Sequence, residues 1–209
     1  MPGKPMDRHS STPAGSRPGF DFTTHMRRLC SALVAALPEL AHIQLDRVGI
    51  GFRQARRRGH AGVQATLTPL RFEGGNSVKL SRGRRLQIER IVDEHGREML
   101  YLLNFYLPRF LEAPFEERLI TVLHELWHIN PAFDGDLRRF HGRCYAHSHS
   151  REGYDQQMSR LAARWLESQP PEEDLALLRQ ELALLQQQGP IWGMRFPVPK
   201  VRSVKVNAR

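Results

Sequence analysis

Hydrophobic positions along this chain recur with two different periods, and the period changes where the elements change. Over residues 21–37, DFTTHMRRLCSALVAAL, the positions Met26, Leu29, Cys30, Leu33 and Leu37 follow helical spacing, and Pro38 supplies a stop. A first helix is predicted there. RVGIGFRQA (47–55) instead alternates Val48, Ile50 and Phe52, the two-residue period of a strand. VQATLTPLRF (63–72) reads as a second strand in spite of Pro69, and LQIERIVDE (86–94) as a third. His95-Gly96 suits a turn into EMLYLLNFYL (98–107), a strongly apolar fourth strand that Pro108 ends.

The helical period returns in PFEERLITVLHELWHIN (114–130). Pro114 suits a first turn, and Glu116 and Glu117 sit where the helix dipole favours anions. Leu119, Val122, Leu123 and Leu126 form an apolar stripe, and Asn130-Pro131 closes the helix. NPAFDGDLRRFHG (130–142) is a turn-rich loop. GYDQQMSRLAARWLESQ (153–169) is an amphipathic helix carrying Tyr154, Met158, Leu161, Ala162 and Trp165, broken by Pro170-Pro171. EEDLALLRQELALLQQQ (172–188) reads as one more helix. The order of helix, several strands, then helices is an α+β pattern without regular βαβ alternation or internal repeats. It divides the chain into a disordered leader (1–20), one domain (21–188) and a basic, extended or mobile tail (189–209).

Composition narrows the partners. Of 209 residues, 40% are hydrophobic and 25% charged, enough for a real core. No apolar run approaches the ~20 residues of a membrane span, and the N-terminus lacks the apolar stretch of a secretory signal. Only Cys30 and Cys144 are present, which excludes a disulfide framework or a Cys-based zinc module and makes a reducing cytoplasm the expected location. The net charge is +9, with basic runs at 53–60 (RQARRRGH) and 79–90 (KLSRGRRLQIER) and no acidic residue from Gly189 to Arg209. That balance suits a nucleic-acid partner as well as simple solubility.

The chemistry concentrates in HELWH (124–128). On a helix, residues four apart share a face, with Cβ atoms ~5–6 Å apart. His124 and His128 can therefore converge on one zinc ion at ~2.0–2.1 Å each. Glu125, about 100° round the helix, is poorly placed as a ligand and well placed to take a proton from water at an open coordination position. A catalytic zinc needs a third protein ligand. Five of the ten histidines lie between 124 and 149. His141 is the first choice, because Asn-Pro and Asp-Gly in the intervening loop can turn the chain back over the helix; His147 and then His149 are the alternatives. Arg138, Arg139, Tyr145 and Tyr154 are available as donors to a developing oxyanion. Asp134 or Asp136 could orient a ligand imidazole, although turn formation is their simpler role.

HELWHI (124–129), FDGDLR (133–138) and His141-Gly142 together resemble the SprT/Spartan-like zincins, and more closely a group of phage and prokaryotic metallopeptidases. The resemblance is specific over 98–145 and loose over 45–170. It implies a zincin-like α+β fold with a small mixed or antiparallel sheet and an active-site helix. It also implies one zinc ion on His124, His128 and His141, with Glu125 as catalytic base. One departure is that the helix expected directly after the third ligand begins only near residue 151. The function expected is a zinc metallopeptidase that hydrolyses protein or peptide substrates with a Glu-activated, zinc-bound water. Two alternatives stand beside it. One is a DNA-associated protease of the SprT/Spartan type acting on DNA-bound proteins. The other is a non-catalytic, zinc-stabilised nucleic-acid-binding module in which Glu125 is only a surface carboxylate. Oligomeric state is not legible in the sequence.

Overall fold

A computed structural model describes residues 18–55, 59, 62–139 and 151–204, with the backbone alone for 151–155. Among these residues the chain is mixed α+β, with six α-helices and three small sheets. No helix is long and apolar enough to cross a membrane among the described residues.

The first strand, β1 (Phe20–Asp21), leads directly into α1 (Phe22–Ala36). Asp21 caps that helix by accepting from the Thr24 amide at 3.1 Å and the Thr24 hydroxyl at 2.7 Å. The predicted stripe of Met26, Leu29, Cys30 and Leu33 is fully buried. It packs on a three-stranded sheet of β2 (Val48–Gln54), β3 (Ala65–Pro69) and β6 (Tyr101–Leu107), ordered β2-β6-β3. β6 runs parallel to β2 and antiparallel to β3. As the central strand it is covered on both faces, which explains its unbroken apolar character. Tyr101, Leu103 and Phe105 face the main core, while Leu102 joins a smaller cluster with Leu70, Ile91 and Met99. Phe22 meets Phe52, Phe105 and Phe110 edge-on, at ring separations of 5.6, 5.6 and 6.2 Å.

Pro69 is tolerated because of its register. The Tyr106 amide donates to Gln64 and the Leu70 amide to Leu100, so even-numbered positions of β3 bond to β6. Odd positions, Leu67 and Pro69 among them, direct their backbone groups to the outer edge, where a missing N–H costs no ladder bond.

Several boundaries differ from the sequence expectation. The third strand is shorter and earlier, β5 (Arg84–Ile88), and it pairs with an unforeseen β4 (Val78–Ser81). The connecting residues Arg82 and Gly83 both have positive φ, 49° and 73°, as a two-residue hairpin turn requires. A short α2 (Arg109–Glu112) follows β6, and α3 spans Phe115–Trp127 rather than running to Asn130. After α4 (Arg151–Glu167), the region 172–188 is two helices, α5 (Glu172–Arg179) and α6 (Leu182–Gln187). The break has a visible cause. Arg118, 7% exposed, donates to the carbonyls of Leu178 at 3.2 Å and Gln180 at 2.7 Å, and also to those of Ala113 and Leu111. Gln180 is extended, and its carbonyl serves the guanidinium.

The described part of the basic tail is extended and bonded to the body. β7 (Ile191–Trp192) pairs parallel with β1, and β8 (Val201–Val204) antiparallel with β5. Between them, the Phe52 amide donates to Met194 at 3.1 Å and Arg53 to the Phe196 carbonyl at 3.0 Å. Gly49 and Gly51 make room for this crossing: a Cβ on either would lie within 2.8 Å of the Phe196 ring or the Met194 carbonyl. Replacing Arg118 by Met should strand several buried carbonyls and cost about 3 kcal/mol, read as a lower urea midpoint at unchanged slope. An unaltered midpoint would show that those carbonyls find other donors.

Candidate functional site

The rotation of α3 about its axis is set by its buried stripe, Leu119, Val122, Leu123 and Leu126, all 0% exposed. The polar residues Glu117, Thr121, His124, Glu125 and His128 therefore share the remaining faces. His128 is the C-cap, one residue past the helix, but it keeps helical geometry: its amide still donates to the His124 carbonyl at 3.3 Å. The two imidazoles consequently meet. Their Nε2 atoms are 3.0 Å apart, and the rings stand edge-to-face, 4.7 Å between centroids at 80°. That separation suits a proton shared between two neutral rings. It also suits one cation: donors about 2.05 Å from an ion and 3.0 Å apart subtend about 94° there, somewhat inside the tetrahedral angle.

Glu125 is 9% exposed, so it is not the surface carboxylate of the non-catalytic reading. Burial pushes its carboxyl up to about 7, and the Leu67 backbone amide offsets this in part. Leu67 lies on β3, whose outward-facing amides include it, so Glu125 looks toward a sheet edge. Beside it, the Thr121 hydroxyl donates to the Gln64 side-chain oxygen at 3.2 Å, and the Gln64 amide donates to Glu117. These bonds tie the approach to β3 onto α3.

Beyond His128 the chain doubles back. Ile129 bridges Leu137, and the Arg138 amide donates to the His128 carbonyl at 2.7 Å. Tyr101 holds the turn from beneath. Its hydroxyl accepts from the Gly135 amide at 3.0 Å and donates to the Asp136 carbonyl at 2.8 Å. Burial first, then the nearby Asp134 and Asp136, hold the Tyr101 hydroxyl up at about 12. Both aspartates are turn residues. Asp134 accepts from Asn130 and from the Asp136 amide, each at 3.0 Å. Asp136 accepts from the Gly74 and Leu137 amides and pairs with Arg139 through two bonds of 2.9 Å. The proposed oxyanion donors are similarly engaged: Arg138 donates to the Trp127 carbonyl at 2.7 Å and stacks 4.1 Å over the Trp127 ring. A cleft of about 540 Å³ opens beside this turn, lined by Glu73, Gly74, Asn130, Pro131, Arg138 and Arg139 among others.

His141, His147, His149, Cys144 and Tyr145 lie outside the described residues, as does the Tyr154 side chain. Among the described residues, no three His, Cys, Asp or Glu side chains form a group able to hold a metal ion. The structure thus brings His124, His128 and Glu125 together, and carries the chain alongside His128 three residues before His141. Sequence reasoning passed over Tyr101, Gln64 and Thr121. The available signal was a hydroxyl-bearing ring inside an otherwise apolar strand, where a buried phenol needs a partner. Compared with family models, with curated proteins and with solved structures, the chain has no match.

Asp136 supplies a pH test of the turn. Burial alone would raise its pKa, but Arg139 and the two amides outweigh this and hold it below the ordinary aspartate range. A depressed folded-state pKa contributes stability above the unfolded value and loses it as pH falls through the folded value. Asp136→Asn should therefore cost about 2 kcal/mol near neutrality, with the gap to the parent narrowing below about pH 4. Denaturant melts across that range check it, and a pH-independent gap would remove the Asp136 charge from the account.

Proposed function

We propose that the protein is a zinc-dependent peptidase of the zincin kind. His124, His128 and His141 would hold one ion, and Glu125 would be the general base. The observation that carries the reading is the pair of imidazole nitrogens 3.0 Å apart, with a buried carboxyl on the intervening residue Glu125. The return of the chain supports His141 as third ligand. Arg138 is bonded to the His128 carbonyl, and three further residues span up to about 10 Å. The HELWHI, FDGDLR and His-Gly resemblance to SprT/Spartan-like enzymes points the same way.

Zinc, when bound, supplies a Lewis acid and lowers the pKa of water toward ~7. The remaining work belongs to the chain. Glu125 takes a proton from the attacking water and returns it to the departing amine nitrogen, so its carboxyl must change state near neutrality. Its burial, with a pKa near 7, prepares it for that exchange. The edge of β3 offers backbone groups to an extended peptide, which would carry a scissile carbonyl past Glu125.

Elemental analysis should find one zinc per chain, retained in Glu125→Gln and lost in His141→Ala but not in His147→Ala. Glu125→Gln should lower cleavage of an unfolded protein substrate by at least about 100-fold. Unchanged cleavage in that variant, or purified chain without stoichiometric metal, would overturn the reading.

A further inference from the structure

β8, in the tail, and the 79–90 run are more than 110 residues apart in sequence, yet the pairing of β8 with β5 gathers them into one sheet, ordered β4-β5-β8. Lys79, Arg82, Arg84 and Arg85 are exposed there, and none makes an ion pair with another described residue. The acidic neighbours are engaged elsewhere: Glu89 pairs with Arg202, and Glu98 with Arg71 and Arg90. Four free cations at the end of one hairpin repel each other, which a polyanion would relieve.

The register decides which polyanion. Side chains alternate between faces, so Lys79 and Arg84 share one face with Val201, while Leu80, Arg85 and Arg202 share the other. The exposed apolar residues of this sheet, Leu80 at 73% and Val201 at 56%, thus lie on opposite faces. No single apolar face is available to enter a lipid surface. Cations on both faces suit instead a partner that places phosphates on both sides of a ribbon. Arg82 and Gly83, both with positive φ, form the turn at the tip of the β4–β5 hairpin. Among the described residues that tip is clear of the body: a Cβ built on Gly83 meets nothing within 4 Å. A two-stranded ribbon fits the major groove of B-DNA, about 12 Å wide.

We propose that the β4–β5 hairpin is a docking element for duplex DNA, with Arg82 at its tip directed into a groove and Lys79, Arg84 and Arg85 on the flanking phosphates. This is independent of the peptidase reading, because none of these residues belongs to α3 or its turn.

The test is fluorescence anisotropy of the full chain with a labelled DNA duplex over a salt series. The parent should bind, weakening steeply with salt. Arg82→Ala/Arg84→Ala/Arg85→Ala should bind at least about tenfold more weakly, with the log–log salt slope reduced by roughly 2 to 3. Arg160→Ala, an exposed cation on α4, should bind as the parent does, and so should Glu125→Gln, which separates this outcome from loss of peptidase activity. Circular dichroism melts check folding, and Arg82→Ala alone at the open tip, expected to weaken binding about threefold, keeps the test intact if the triple variant unfolds. Parent-like binding by the folded variants would overturn the proposal. So would binding to phosphatidylserine vesicles without binding to DNA, or no binding at low salt.

Discussion

Burial of four side chains on one stripe of α3 fixes how that helix is turned, and with it the direction of every polar group it carries. Leu119, Val122, Leu123 and Leu126 are completely enclosed, and each contributes about 1.5–3 kcal/mol relative to exposure. A rotation of one residue, about 100°, would bring part of that stripe into water and drive charged groups inward. With the rotation fixed, the His124–His128 pair points in one set direction, and Glu125 faces the edge of β3. Helical spacing makes the imidazoles meet, and apolar packing sets which way the pair faces.

Three of the buried polar groups are handled differently by the fold. Arg118 is satisfied by carbonyls at a helix break, so a buried cation becomes a structural joint between α3 and the α5–α6 turn. Tyr101 is satisfied by one amide and one carbonyl of the loop after α3, which turns a core residue into the anchor of a surface turn. Glu125 receives far less help. Its carboxyl is enclosed with a single backbone amide to favour ionisation, and its pKa rises to about 7. A group so poised is costly for stability and useful for proton transfer. The contrast with Asp136, buried but amply bonded and correspondingly acidic, separates a poorly bonded carboxyl from a turn-forming one.

The tail completes the architecture from outside. Its backbone closes the outer edge of β2, its Phe196 ring occupies the space left by two glycines, and its last strand extends the β4–β5 hairpin into a sheet. Edge strands invite pairing with other chains. Here one edge of the central sheet is covered by the chain itself, while the β3 edge faces the candidate site.

Much of this was legible in the sequence. Periodicity located α1, α3 and α4, because their stripes repeat over three or more turns, and it found β2 and β6, whose apolar character is strong. The HELWH spacing located the candidate site, since two residues four apart on a helix meet whatever the rest of the chain does. Other features depended on long-range pairing. β4 is a strand because β5 pairs with it, although its residues read as a basic run. The 172–188 helix breaks because Arg118, more than 50 residues earlier, takes its carbonyls. The described part of the tail packs on the body because glycines in β2 admit its Phe196 ring. Local sequence determines spacing along one element. Which element lies against another, and hence the burial that lifts the Glu125 pKa, is decided by apolar area shared between distant segments, and that quantity exists only once the chain has closed.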